Sequence, residues 1–155
     1  SRVLIFRKLK NTRVRVAGVL VEDGRLLLIA HKKKKDVYWL LPGGGVDYGE
    51  SLAGALKREL REELSIEVEV HDIAFICDSI GPGLERHIVN ICFFCSREAG
   101  DLSLGKEKRL HDFNFFDAAG LDDITIFPPM RDELKGLLGG AGGGRIYIGK
   151  RWMEL

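Results

Sequence analysis

The segment PGGGVDYGESLAGALKRELREELSI, Pro42 to Ile66, decides the fold. The apolar run Val37 to Leu41 stops at a proline and three glycines, and a new period begins. From Gly49 to Leu64, leucines recur at 52, 56, 60 and 64 with Ala53 and Ala55 beside them. That spacing predicts an amphipathic helix. Ser51 suits its N-cap, where a hydroxyl accepts a first-turn amide. At 100° per residue, Glu59, Glu63 and Glu62 fall at about 0°, 40° and −60°, and the leucines span about 20° to 140°. The carboxylates therefore overlap the edge of the core stripe instead of lying opposite it.

Like charges held at the rim of a core repel by roughly a few kcal/mol, so something cationic must offset them. Arg58 stands four residues before Glu62 and can neutralise one carboxylate. The remainder calls for a hard divalent cation, and oxygen ligands favour Mg²⁺, with Mn²⁺ as a substitute. Gly43, Gly44 and Gly45 let the backbone approach such a cation or a phosphate without a Cβ in the way. Glu50 lies near the helix start, within reach of Arg58. Because Mg²⁺ keeps waters and is often completed by phosphates, the chemistry indicated is metal-assisted hydrolysis of a phosphoanhydride.

Working outward, Arg13 to Val21 and Arg25 to Ala30 flank Asp23-Gly24 and predict a β-hairpin. His31 to Asp36 (HKKKKD) breaks that pattern. Glu67–Ile80, Arg86–Arg97 and Arg109–Phe116 read as further strands, the first two joined by a Gly81-Pro82-Gly83 turn. Pro128-Pro129 is expected to open a second helix, Met130 to Leu138. Residues 1–138 form one domain, followed over 139–155 by a glycine tether, Gly139 to Gly144, and a terminal strand, Arg145 to Ile148. Strands on both sides of one long helix, with a later helix, give an α/β layered domain.

Between Gly44 and Ile66 the chain resembles the Nudix (MutT-like) hydrolases, whose pattern is G-x5-E-x7-R-E-U-x-E-E-x-G-U with U aliphatic. Gly44, Glu50, Arg58, Glu59, Leu60, Glu62, Glu63 and Ile66 match; Ser65 replaces the helix-ending glycine. The resemblance implies an α/β/α sandwich with a curved mixed sheet between helices. It implies metal ligation by Glu59, Glu62 and Glu63 with a Gly43 or Gly44 carbonyl, and a structural Glu50–Arg58 pair. The general base in such proteins is a box glutamate or an acid on a later loop, here Glu107 or Asp112. The implied activity is Mg²⁺-dependent hydrolysis of a nucleoside diphosphate linked to another moiety. ADP-ribose or a nucleotide sugar is slightly favoured, because Pro82 lies 16 residues beyond Ile66, near the spacing of Nudix ADP-ribose pyrophosphatases. Nucleoside triphosphates and dinucleoside polyphosphates stay open. The rival readings are an inactive nucleotide-binding regulator and an RNA 5′-end pyrophosphohydrolase.

With 24 basic against 23 acidic residues, the net charge of +1 speaks against an extended nucleic-acid partner. No apolar run approaches the ~18 residues of a membrane span, and a cytoplasmic protein is expected. Cys77, Cys92 and Cys95 are read as buried thiols, since Cys92 and Cys95 on a strand point to opposite faces. Lys32 to Lys35 are read as a solvated hairpin tip from which one lysine could reach phosphates. Tyr38, Trp39 and Phe127 are candidates to stack a base. The terminal strand is expected to add to a sheet edge, its own or that of a partner in a homodimer, with exchange favoured.

Overall fold

The computed structural model describes residues 10–140 and 144–154. Its strands are β1 (Arg13–Glu22), β2 (Arg25–Lys33), β3 (Asp36–Leu40), β4 (Gly43–Gly45), β5 (Glu67–Ile80), β6 (His87–Ala99), β7 (Leu110–Phe116) and β8 (Tyr147–Lys150). Two helices, α1 (Leu52–Leu64) and α2 (Arg131–Leu138), and a 3₁₀ turn at Gly120–Asp123 complete it. β1 is the pivot. Arg13 to Leu20 pair parallel with β6, Arg15 to Ala17 pair antiparallel with β4 on the other edge, and its last residues pair with β2 across the Asp23-Gly24 turn. Both turn residues have positive φ, as a tight hairpin requires. The principal strand order is β3-β2-β1-β6-β5-β8, with β4 on β1 and β7 on β2. The sheet is mixed, as the resemblance implied.

Side-chain alternation builds two cores. Leu27 and Ile29 of β2 join Leu56, Leu60 and Leu64 of α1 on one face. Leu26 and Leu28 join Leu121, Met130 and Leu134 on the other. Each helix thus covers one face, and the sandwich is as expected. All three cysteines are buried and free, with Cys92 in the second core and Cys95 in the first. At Gly18 of β1 a Cβ would stand 2.8 Å from the Cys95 Sγ of β6, beneath Leu56 and Leu60 of α1 at 3.7 Å.

Several boundaries differ from the sequence reading. β2 runs on through Lys33 and turns at Lys34, whose φ is 57°, so the lysine run does not break the strand pattern but forms the solvated hairpin tip expected of it. α1 begins at Leu52, with the Ser51 Oγ accepting the Gly54 N–H at 3.0 Å. Ser65 adopts the left-handed φ of 61° that a glycine would take, and its N–H caps Arg61 O. The box therefore closes normally despite the substitution. Pro128 and Pro129 precede the N-cap Met130 and are not in the first helical turn. β8 pairs parallel with β5 of the same chain, Ile76 opposite Tyr147 and Asp78 opposite Lys150. This is one of the two arrangements expected for the tail strand. Part of the glycine tether, 141–143, lies outside the described residues. Among the described residues, no helix is long and apolar enough to cross a membrane.

Candidate active site

The glycine strand and α1 face each other across the site. Gly43 donates its N–H to the Glu63 Oε1 at 2.8 Å. A Cβ on Gly44 would lie 2.3–2.5 Å from the Glu59 carboxylate, so only glycine admits Glu59 there. A Cβ on Gly43 would meet the Val16 carbonyl oxygen at 1.9 Å, because β4 is pressed against β1. The two glycines thus hold two different carboxylates.

Arg58 organises the rest. Its Nε and Nη2 donate to both oxygens of Glu50 at 2.7 and 2.8 Å. Nη1 donates to Glu59 at 2.9 Å and to Glu62 at 3.3 Å, and Nη2 also reaches the Gly45 carbonyl at 3.0 Å. Hydrogen bonds from Arg58, then the Asp47 amide, hold the Glu50 carboxyl down to about 2. The same contacts raise the Arg58 guanidinium further above its ordinary range. The structural Glu50–Arg58 pair is present with bidentate geometry.

Glu63 is 3% exposed. Burial pushes its carboxyl up to about 8; Arg15 and the Gly43 amide oppose the rise, and Glu59 and Glu107 add to it. A buried carboxylate beside a second one, with no side-chain cation bonded to it among the described residues, fits a divalent cation. Glu62 differs, since its side chain is 60% exposed and turned to Arg58. The three box glutamates are not gathered into one cage: among the described residues, no three acidic, histidine or cysteine side chains cluster as ligands. Two carboxylates flanking glycine backbone nevertheless match Mg²⁺, which takes one or two carboxylates and leaves places for water and phosphate.

The two later acids separate. The segment after β6 is tied to α1 by Ser103 N–H to Leu64 O (3.1 Å) and Gly105 N–H to Glu63 O (2.8 Å). It brings Glu107, paired with Arg109 at 2.6 Å, to where its charge acts on Glu63. Asp112 follows an irregularity in the β2–β7 register and precedes Phe113, which packs toward the α1 core. Alternation therefore points Asp112 to the opposite face, where its carboxylate accepts the Phe113 amide.

The NUDIX domain family matches residues 11–135. The chain belongs to the Nudix family. It is accordingly a hydrolase of phosphoanhydride bonds. An ADP-ribose pyrophosphatase of Methanocaldococcus jannaschii is 29% identical over 78% of this chain and 71% of its own length. The nucleoside triphosphatase NudI of Salmonella arizonae is also 29% identical, over 79% of this chain and 96% of its own. Among solved structures, a MutT Nudix hydrolase of Burkholderia pseudomallei superposes with a TM-score of 0.69 at 29% identity, covering 81% of this chain and 97% of that one.

Beside the Nudix box opens a cleft of about 190 Å³ whose floor is Gly43–Gly45. Arg13, Arg15, Arg86 and Arg109 line it with Asn90, and no carboxylate among the described residues does. Sequence reasoning missed these residues. Their one linear signal is Arg13-Val14-Arg15, two cations at period two on an otherwise apolar strand. Tyr38 and Phe127 line the cleft as expected of stacking candidates, but Trp39 does not. It packs edge-on against Phe116 at 4.8 Å in the other core, because adjacent strand residues face opposite ways. Lys32 to Lys35 are exposed and absent from the cleft lining. His31, 5% exposed, also lines the cleft. Burial first, then Arg109 and Arg15, lowers it to about 4, so it is neutral near pH 7, and among the described residues its Nε2 has no partner.

Proposed function

We propose that this Nudix hydrolase is a Mg²⁺-dependent pyrophosphohydrolase of nucleoside diphosphates linked to another moiety, with ADP-ribose or a nucleotide sugar favoured. The observation that carries this reading is the placement of Glu59 and Glu63 against Gly44 and Gly43, two glycines that also line the arginine-rich cleft. Glu59, Glu63 and a Gly43 or Gly44 carbonyl would hold the cation, and Glu62 would join through water. When bound, the cation supplies a nucleophilic water near neutral pH and neutralises charge on the leaving oxygens. Arg58 fixes Glu59 from one side while Gly44 gives it room on the other. Arg13, Arg15 and Arg86 bind and orient the phosphates, since guanidinium groups match them in charge and geometry. Glu107 is the favoured later acid to accept the proton of the attacking water, because its charge reaches Glu63 and Asp112 faces away.

The M. jannaschii relative supports the ADP-ribose preference, as does the position of Pro82. The NudI relative supports nucleoside triphosphates as the second reading. A screen with Mg²⁺ separates them: ADP-ribose should yield AMP and ribose phosphate, whereas triphosphates should yield a nucleoside monophosphate and diphosphate. Turnover undiminished in excess chelator would overturn the metal-dependent reading.

A further inference from the structure

The family match ends at residue 135, yet the chain beyond it returns to touch Phe127, a residue that lines the cleft. Residues Ile146 to Arg151 attach to β5: the Ile76 N–H bonds to Ile146 O at 2.7 Å, and the Arg151 N–H bonds to Asp78 O at 2.7 Å. The Arg151 guanidinium then crosses to α2, donating to Pro129 O at 3.0 Å and to Glu133 at 2.5 Å. This anchors the next residue, Trp152, whose ring meets Phe127 edge-on at 5.9 Å.

Phe127 is a wall of the cleft. It meets Tyr38 edge-on at 6.1 Å, and Tyr38 meets His31 at 5.6 Å, so four rings run from the cleft interior to the tail. Phe127 is also held through its backbone, its N–H bonding to Trp39 O at 2.9 Å. Its ring has Tyr38 on one side and Trp152 on another. Removing Trp152 leaves the Phe127 backbone in place and frees its side chain to rotate away from a bound ligand.

We propose that Trp152, anchored by Arg151, is a positioning residue for substrate, acting through Phe127 to hold one wall of the cleft. This deepens the hydrolase reading and depends on it. Trp152 lies outside the Glu59–Glu63 cluster, so its influence falls on binding and not on the chemical step. An edge contact between aromatic rings is large enough to shift affinity by about five- to tenfold.

The test measures hydrolysis of ADP-ribose and of deoxynucleoside triphosphates with Mg²⁺ by the full chain and by Trp152→Ala and Trp152→Phe, alongside melting temperature. On whichever compound turns over, Trp152→Ala should raise KM about five- to tenfold with kcat within about twofold. Trp152→Phe, which keeps an aromatic ring, should stay within about twofold of wild type in both. An unchanged KM in Trp152→Ala, an equal fall in kcat, or no rescue by phenylalanine overturns the tail's role and leaves the hydrolase reading standing. A wild-type chain that turns over none of these compounds overturns both.

Discussion

The Gly43 amide and the Glu63 carboxylate meet at 2.8 Å inside the protein, across a pairing that joins β4 to the last turn of α1. One backbone donor does not compensate a carboxylate so buried, and its ordinary value of 4.5 rises to about 8. Between those values the folded protein keeps a proton that the unfolded chain releases, so Glu63 makes stability fall as pH rises from about 4.5 to 8. Glutamine mimics the protonated form. Glu63→Gln in chelator should therefore melt higher than wild type at pH 8, by about 10 °C, and at the same temperature as wild type below pH 4.5. It should also lose about a hundredfold or more in kcat with Mg²⁺. A variant that melts lower at pH 8, or retains kcat, would contradict the burial or the ligand role respectively.

Arg58 bonds at once to Glu50, Glu59, Glu62 and Gly45, so one substitution releases several groups. Arg58→Ala should lower both melting temperature and kcat, because Glu50 and Glu59 lose their shared cation. Lysine, a point charge, cannot reproduce the two parallel bonds to Glu50 and should rescue neither fully. An unchanged melting temperature with no activity would instead indicate direct contact between Arg58 and substrate phosphate.

Gly43 and Gly44 should fail in different ways. At Gly43 the added Cβ meets β1 backbone, which cannot yield, and alanine should cost about 2–4 kcal/mol of stability in a denaturant titration. At Gly44 it meets the end of the Glu59 side chain, which can swing aside. Gly44→Ala should cost under about 1 kcal/mol yet reduce kcat at least about tenfold, since Glu59 leaves its place. Equal destabilisation by both would mean that Glu59 is not what fills the space beside Gly44.

Ser65 carries a left-handed φ of 61° without being glycine. That conformation costs an L residue about 1 kcal/mol, partly offset by the serine's lower entropy when unfolded. Its side chain makes long contacts to Ser103, at 3.4 and 3.5 Å, which return little. Ser65→Gly should accordingly raise the melting temperature by about 2–4 °C with unchanged kinetics. A lower melting temperature would show that the Ser103 contacts outweigh the strain.

What the sequence made legible follows period and spacing. The four-residue leucine repeat places α1, and Glu59 and Glu63 come to the glycine strand because helix geometry converts their spacing into one face, while Glu50, ahead of the helix, is held by Arg58. The i,i+4 spacing anticipated the Arg58–Glu62 contact, but spacing does not reveal rotamers, so it did not show that Glu62 would stay 60% exposed while Glu63 is buried. The cleft was illegible for a different reason. His31, Arg86 and Arg109 belong to separate elements that meet only once β7 has paired with β2 and β6 with β1. Tyr38 and Trp39 illustrate the limit: neighbours on a strand cannot both face the cleft, and the sequence does not say which does. The solvated hairpin tip at Lys32 to Lys35 was legible in its charge, but the continuation of β2 through Lys33 was not, because a tight turn with Lys34 at positive φ carries no glycine to mark it.

The tail strand gives the last prediction. β8 pairs with β5 in the same chain, Arg151 bonds to α2, and Ile148 packs against the second core. These contacts satisfy the strand without a second copy, although exchange between two copies would form the same pairs. A chain stopped at Gly139 loses every one of them and exposes the β5 edge, so it should melt several degrees lower. Light scattering on both chains distinguishes the two arrangements. Docking within one chain predicts that full-length and shortened proteins are both monomers, whereas exchange predicts a full-length dimer that becomes monomeric on truncation. If the shortened chain melts at the wild-type temperature, β8 contributes nothing to the folded domain, and the path by which Trp152 reaches Phe127 is lost with it.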